Sequence, residues 1–160
     1  MKLTGLIMIM FFGIMCGQVL SQNELKKISS MQKILHLTKN IESSVSFSNQ
    51  TLYDLIQRDN SILSLKILAC LRQNLTVKDS VFTAIHSCKM TLLPEFETVL
   101  SDFFDTYGAT SRDDQLNACR YAISRMEHIL NSTEKQLRDK SVMYQKLIPI
   151  CTCAFVILLI

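Results

Sequence analysis

The stretch Thr51–Cys88, TLYDLIQRDNSILSLKILACLRQNLTVKDSVFTAIHSC, decides how the rest of the chain is read. Leu52, Leu55, Ile56, Leu63 and Ile67 recur at three- and four-residue spacing, which predicts a helix with one buried face from Thr51 to about Gln73. Asp54, Gln57, Arg58 and Lys66 are left for the opposite face. The helix runs towards Cys70; the triplet Asn74-Leu75-Thr76 and a second cysteine, Cys88, follow. Asp79 or Ser80 can cap a short helix through Val81, Ile85 and Cys88. A helix tied by a cysteine to a later helix suits a small secreted domain, whose core is too small to be stable alone.

Working outward, Glu24–Val45 places Leu25, Ile28, Met31, Leu35, Thr38 and Ile41 on one stripe and reads as a helix, broken by Ser46–Gln50. On the other side, Thr91–Phe104 carries Leu92, Leu93, Phe96, Val99, Leu100, Phe103 and Phe104 at helical spacing, with Pro94 suited to a first turn. Tyr107–Ser111 is a loop with a natural C-cap at Gly108. Arg112–Asn131 is amphipathic through Leu116, Cys119, Ile123, Met126 and Leu130, and its first turn carries Asp113 and Asp114, where the helix dipole favours anions. Glu134–Lys146 reads as a further, polar helix with Leu137 and Met143 inward. No segment alternates with a period of two, and Gly (4) and Pro (2) are too few for a turn-rich β fold. The expectation is an all-α domain, a bundle of four or so helices.

The N-terminus points to secretion. Lys2 precedes an apolar run from Leu6 to Cys16, and Val19 and Ser21 are placed as a signal peptidase requires, so residues 1–21 read as a signal peptide. A membrane anchor is the competing reading, but the run falls short of the ~20 apolar residues of a spanning helix. The helical domain is then 22–146, followed by an apolar tail, 147–160. Of 17 Lys and Arg one is Lys2, leaving 16 against 14 Asp and Glu, a balance that suggests no nucleic-acid partner. Sequons at Asn49, Asn74 and Asn131 agree with export and are candidate glycosylation sites.

Five cysteines follow the signal segment: Cys70, Cys88, Cys119, Cys151 and Cys153. In an oxidising compartment they should pair, with one left over. A zinc site is poorly supported: there is no Cys-x2-Cys pair, and His36, His86 and His128 are scattered. No nucleophile elbow, phosphate-binding glycine loop or dinucleotide fingerprint occurs, so neither enzyme chemistry nor a cofactor is expected. Glu95 with Glu97 and Asp113 with Asp114 read as helix-surface charge. The tail LIPICTCAFVILLI is the anomaly, since a soluble bundle seldom ends on an uncharged apolar run. It could be a terminal element packed on the core. As an alternative it could be the removable tail of a glycolipid-anchor signal, with Asn131-Ser132-Thr133 as the small residues, which would make the protein an anchored surface protein or a non-signalling binding module.

Thr51-Leu-Tyr-Asp-Leu-Ile, then Cys70, then Leu75-Thr-Val-Lys-Asp79 and Val81-Phe-Thr-Ala84, resembles the opening of the interleukin-4/interleukin-13 family. Thr98-Val99-Leu100, Phe103, Phe104 and Cys119 look like that family's second helix and its cysteine, and the resemblance covers roughly Thr51 to Cys151. It implies a secreted short-chain cytokine, a disulfide-tied four-helix bundle here carrying an extra N-terminal helix. It implies pairing of Cys70 with Cys119 and of Cys88 with Cys151. The partners it implies are cytokine receptor chains, one like the interleukin-4 receptor alpha chain and a shared second chain. Contact would be through Asp54 and through a basic residue among Arg125, His128 and Arg138. The membrane would be met only through the receptor, or through the glycolipid anchor of the alternative reading.

Overall fold

The computed structural model describes residues 2–47, 52–59, 61–73, 75–107 and 111–159, and the side chains of these except 2–7, 9, 47, 52, 55, 155, 158 and 159. The protein is all-α. Among the described residues there are six helices and no strand: α1 (Lys2–Phe47), α2 (Leu52–Arg58), α3 (Ile62–Leu71), α4 (Val77–Ser87), α5 (Pro94–Thr106) and α6 (Arg112–Leu159). They fall into two compact units. A hairpin unit holds Met1–Ile28 and Ser132–Ile160, and a bundle unit holds Ser29–Asn131.

The bundle unit is built on the stripes that the sequence displays. Met31, Leu35, Thr38 and Ile41 of α1 are buried, as are Ile56 of α2, Leu63 and Ile67 of α3, and Val81 and Ile85 of α4. Phe96, Leu100, Phe103 and Phe104 close the core from α5, and Cys119, Ile123, Met126 and Leu130 from α6. Burial of these side chains is the main stabilising term, ~1.5–3 kcal/mol for each large one. Leu25, placed on the same stripe by spacing, is instead exposed. Within this unit α1 and α6 run antiparallel: Lys39 pairs with Glu127 (2.6 Å), Arg120 with Glu42 (3.1 Å), and Arg112 donates to the Val45 and Ser46 carbonyls (2.9 and 2.8 Å). Buried between them, Thr38 Oγ1 donates to the Ile34 carbonyl (3.0 Å), which satisfies its hydroxyl inside the helix.

The single helix expected over Thr51–Gln73 is two, α2 and α3. The break is chemical. Asp59 Oδ1 accepts the Ser61 backbone N–H (3.2 Å), and Ser61 Oγ accepts the Ser64 N–H (3.1 Å) as the N-cap of α3. Similarly, Thr76 rather than Asp79 or Ser80 caps α4, accepting from the Asp79 N–H (3.1 Å). Pro94 stands in the first turn of α5, and Glu95 and Glu97 there meet the positive end of its dipole. Gly108, expected as a C-cap, lies outside the described residues. The separate helix expected over 134–146 is part of α6, which runs 48 residues through Asn131, Ser132 and Thr133 and on through Pro149. Leu137 is buried as expected, whereas Met143 is exposed.

The end of α4 carries the one non-glycine residue with positive φ among those described, Lys89 (φ 51°). The Lys89 N–H donates to the His86 carbonyl (2.9 Å) and the Met90 N–H to the Ile85 carbonyl (3.1 Å), the paired bonds of a Schellman cap whose left-handed residue is ordinarily glycine. Two variants test these local readings. Ser61→Ala should destabilise the protein by about 1 kcal/mol through the lost cap. Lys89→Gly should stabilise it by about 1 kcal/mol by relieving the left-handed Cβ. Urea unfolding followed by circular dichroism should move in opposite directions for the two.

Candidate functional site

The hairpin unit joins the two apolar ends of the chain. A Cβ at Gly13 of α1 would overlap Thr152 Cγ2 of α6, and one at Gly17 would lie 3.2 Å from the Tyr144 carbonyl oxygen. One helical turn further, Ser21 Oγ and Ser141 Oγ share a buried hydrogen bond of 2.7 Å. As the number rises along α1 it falls along α6, so these arms are antiparallel. Gly13, Gly17 and Ser21 are spaced by four and fall on one face of α1, the small-residue pattern that lets two helix backbones approach closely. Thr152 Oγ1 donates to the Pro149 carbonyl (2.8 Å), so its hydroxyl is satisfied within its own helix.

Around this seam the surface is apolar. Met8 (75%), Phe12 (71%), Ile150 (65%) and Ile157 (73%) are among the most exposed large apolar side chains, and Phe11, Met15, Val19 and Leu147 are exposed too. A recess of about 450 Å³ between the arms is lined by Met8, Phe12, Gly13, Cys16, Ile148 and Thr152. Ordinary soluble surfaces do not gather so many large apolar groups in one place. Among the described residues no helix is long and apolar enough to cross a membrane.

A family model for stage III sporulation protein AB matches residues 2–160. The chain belongs to the stage III sporulation protein AB family. No curated protein and no solved structure matches it.

Membership in this sporulation family overturns the interleukin-4/interleukin-13 reading, and with it the secreted cytokine, the receptor chains and the glycolipid-anchored alternative. The family match takes in both apolar ends, which the cytokine reading had to set aside as a leader and an unexplained tail. The structure agrees: the helix start that carried the resemblance is the seven-residue α2, not the opening of a long bundle helix. Short Leu, Ile and Val patterns recur in any amphipathic helix, so the matching fragments carried less information than their number suggests.

The candidate residues are dispersed in this family member. Asp54 is exposed in the first turn of α2. Arg125 and His128 are exposed on α6 in the bundle unit and line a groove of about 530 Å³ together with Glu95, Thr98 and Asp102 of α5. Arg138 belongs to the hairpin unit and donates from Nε (2.9 Å) and Nη2 (2.6 Å) to Glu134 one turn earlier. Asn131 is exposed within α6 rather than at a helix boundary, while Asn49 and Asn74 lie outside the described residues. All six cysteines are free thiols: Cys119 is buried, Cys16, Cys70, Cys88 and Cys153 are half-buried, and Cys151 is exposed. Among the described residues no group of three or more His, Cys, Asp or Glu could hold a metal ion.

Cys119 illustrates how burial removes reactivity. Desolvation, and secondarily the Glu42 carboxylate, push its thiol up to about 11. Tyr107 is likewise raised, first by burial and then by Cys119. At pH 8 the folded protein therefore holds Cys119 as the neutral thiol. Stability contributed by keeping this proton is present below the unfolded thiol value and is lost as pH rises towards 11. Iodoacetamide labelling read by peptide mass spectrometry at pH 8 should modify the half-buried Cys70 and Cys88 of the bundle unit well before Cys119, which should react only after denaturation. Labelling of Cys119 in the folded chain as fast as that of Cys70 and Cys88 would contradict the packing.

The seam has its own test. Gly13→Val should destabilise the hairpin by about 1–3 kcal/mol through overpacking, and that penalty should shrink when Thr152→Gly is added. Thermal unfolding of the single and double variants measures the coupling, and additive effects would argue against the contact.

Proposed function

We propose that the protein serves stage III of sporulation as a non-enzymatic helical protein that seats its apolar hairpin in a lipid bilayer and presents the bundle unit to other proteins. The observation that carries this reading is the exposed apolar surface around the Gly13–Thr152 seam. Lipid removes the cost of exposing Phe12 and Ile157 to water, ~25 cal/mol per Å² of apolar surface. The seam suits that setting, because close backbone packing and buried serine hydrogen bonds hold helices together where the hydrophobic effect between them is weak. On this reading residues 1–28 are retained in the working protein, since Ser21 is tied to Ser141. The sporulation role rests on the family's name. The absence of nucleophile, phosphate-loop and dinucleotide motifs from the sequence supports a role without bond chemistry.

Vesicle flotation tests the reading. The full chain, diluted from detergent into phosphatidylcholine–phosphatidylglycerol vesicles, should rise with the lipid and stay there in about 1 M salt, where electrostatic attraction is screened within ~3 Å. Phe12→Arg with Ile157→Arg should weaken the association, since each charge placed in lipid costs up to about 2.5–3.5 kcal/mol. Wild-type protein that remains at the bottom of the gradient, folded and monodisperse, would contradict the proposal.

A further inference from the structure

A second feature of the bundle unit is independent of the hairpin. Between α1, the start of α3 and the end of α4 lies a cleft of about 520 Å³. Its charged lining is one-sided: Lys33 from α1, Lys66 from α3 and Lys89 from the α4 cap, against Asp59 alone. Asp59 is already engaged, because its carboxylate accepts from the Ser61 N–H and from the Ser61 and Ser64 hydroxyls (3.2, 3.2 and 2.7 Å). Lys66 Nζ donates to the Ser87 carbonyl at the end of α4 (2.7 Å). Lys33 and Lys89 make no ion pair among the described residues. Asp59 keeps its negative charge in its hydrogen bonds, since every donor to it is neutral, so the three lysines leave the described lining with an excess of two positive charges.

Lys89 adds a second, separate observation. It occupies the left-handed position of the Schellman cap, where glycine is the unstrained choice. A residue held in an unfavourable backbone conformation beside a cleft is a pointer to use of its side chain. The cleft is also not purely polar. Leu37, Leu63 and Met90 contribute to its lining, and Ile62 is 72% exposed at its edge.

We propose that this cleft is a docking site for an acidic, apolar-anchored segment of a partner protein. The partner's carboxylates would meet Lys33, Lys66 and Lys89, and an apolar side chain between them would cover Leu63 and Ile62. Charge complementarity selects an anionic occupant, and the apolar lining selects one with a hydrophobic anchor, which a phosphate or a polynucleotide backbone lacks. A second copy of this chain fits less well. Its acidic helix, α5, exposes Glu95, Thr98, Asp102 and Asp105 without a large apolar residue among them.

The experiment is selection from a random-peptide phage library on the full-length protein in detergent, followed by fluorescence anisotropy with the most enriched peptide. The proposal expects enriched peptides to combine Asp or Glu with Leu, Ile or Phe, and to weaken as salt rises. Lys33→Glu and Lys89→Glu should each weaken binding by about tenfold or more, whereas Lys135→Glu, in the hairpin unit, should leave it unchanged. Lys89→Gly is the decisive variant: it keeps the cap and removes the ammonium, so it should unfold at higher urea than wild type yet bind the peptide less tightly. Enriched peptides with no acidic excess would overturn the proposal. So would peptide binding indifferent to both Lys33→Glu and Lys89→Gly. Self-association of the full chain that these two substitutions abolish, with peptide binding intact, would assign the cleft to a second copy and overturn it as well.

Discussion

The missing Cβ at Gly13 is what the hairpin unit depends on. With it absent, Thr152 can occupy the volume next to the α1 backbone, and Gly17 repeats the arrangement one turn on against the Tyr144 carbonyl. Ser21 and Ser141 then come within hydrogen-bond distance and are buried together. This chain of contacts fixes which residues of α1 face α6 and therefore which face outward. The outward set includes Met8, Phe11, Phe12, Ile150 and Ile157, so the same geometry that closes the seam creates the apolar surface on which the functional reading rests.

Within the bundle unit, order comes from a different source. Apolar stripes of α1, α5 and α6 are buried together, and the polar partners at their margins, such as Lys39 with Glu127, are exposed and contribute little each. The strongest local signals there are caps. Ser61 and Thr76 satisfy N–H groups that would otherwise have no partner, and by doing so they set where α3 and α4 begin. Lys89 ends α4 in a conformation that a glycine would adopt more cheaply, which sets the cleft beside it apart from an ordinary basic surface.

Much of the helical content was legible in the sequence because burial imposes a period. Ile28, Met31, Leu35, Thr38 and Ile41 were placed on one stripe by spacing alone and are buried. Periodicity failed where it carries no information. Ile56, Leu63 and Ile67 stay in helical phase across Asp59–Ser61, so the pattern reads through a break that only the Asp and Ser capping chemistry reveals. The apolar tail was unreadable for a related reason: its partner is more than a hundred residues away, and no local rule names it. The available clue was the spacing of Gly13, Gly17 and Ser21, hidden inside a stretch that looked like a leader. Reading that stretch as a signal peptide set Cys16 aside, made disulfide candidates of the other five cysteines and favoured a secreted cytokine, whereas the chain belongs to a sporulation family.

The pairing of the two apolar ends is tested most directly by a cross-link at its buried hydrogen bond. In a background with the native cysteines replaced by serine or alanine, Ser21→Cys and Ser141→Cys should oxidise to an intramolecular disulfide in the full-length protein. Non-reducing electrophoresis and intact mass would then show a monomer lighter by two hydrogens, still carrying residues 1–28. Two free thiols under oxidising conditions, a cross-linked dimer in place of the monomer, or a chain lacking its N-terminal arm would contradict the hairpin.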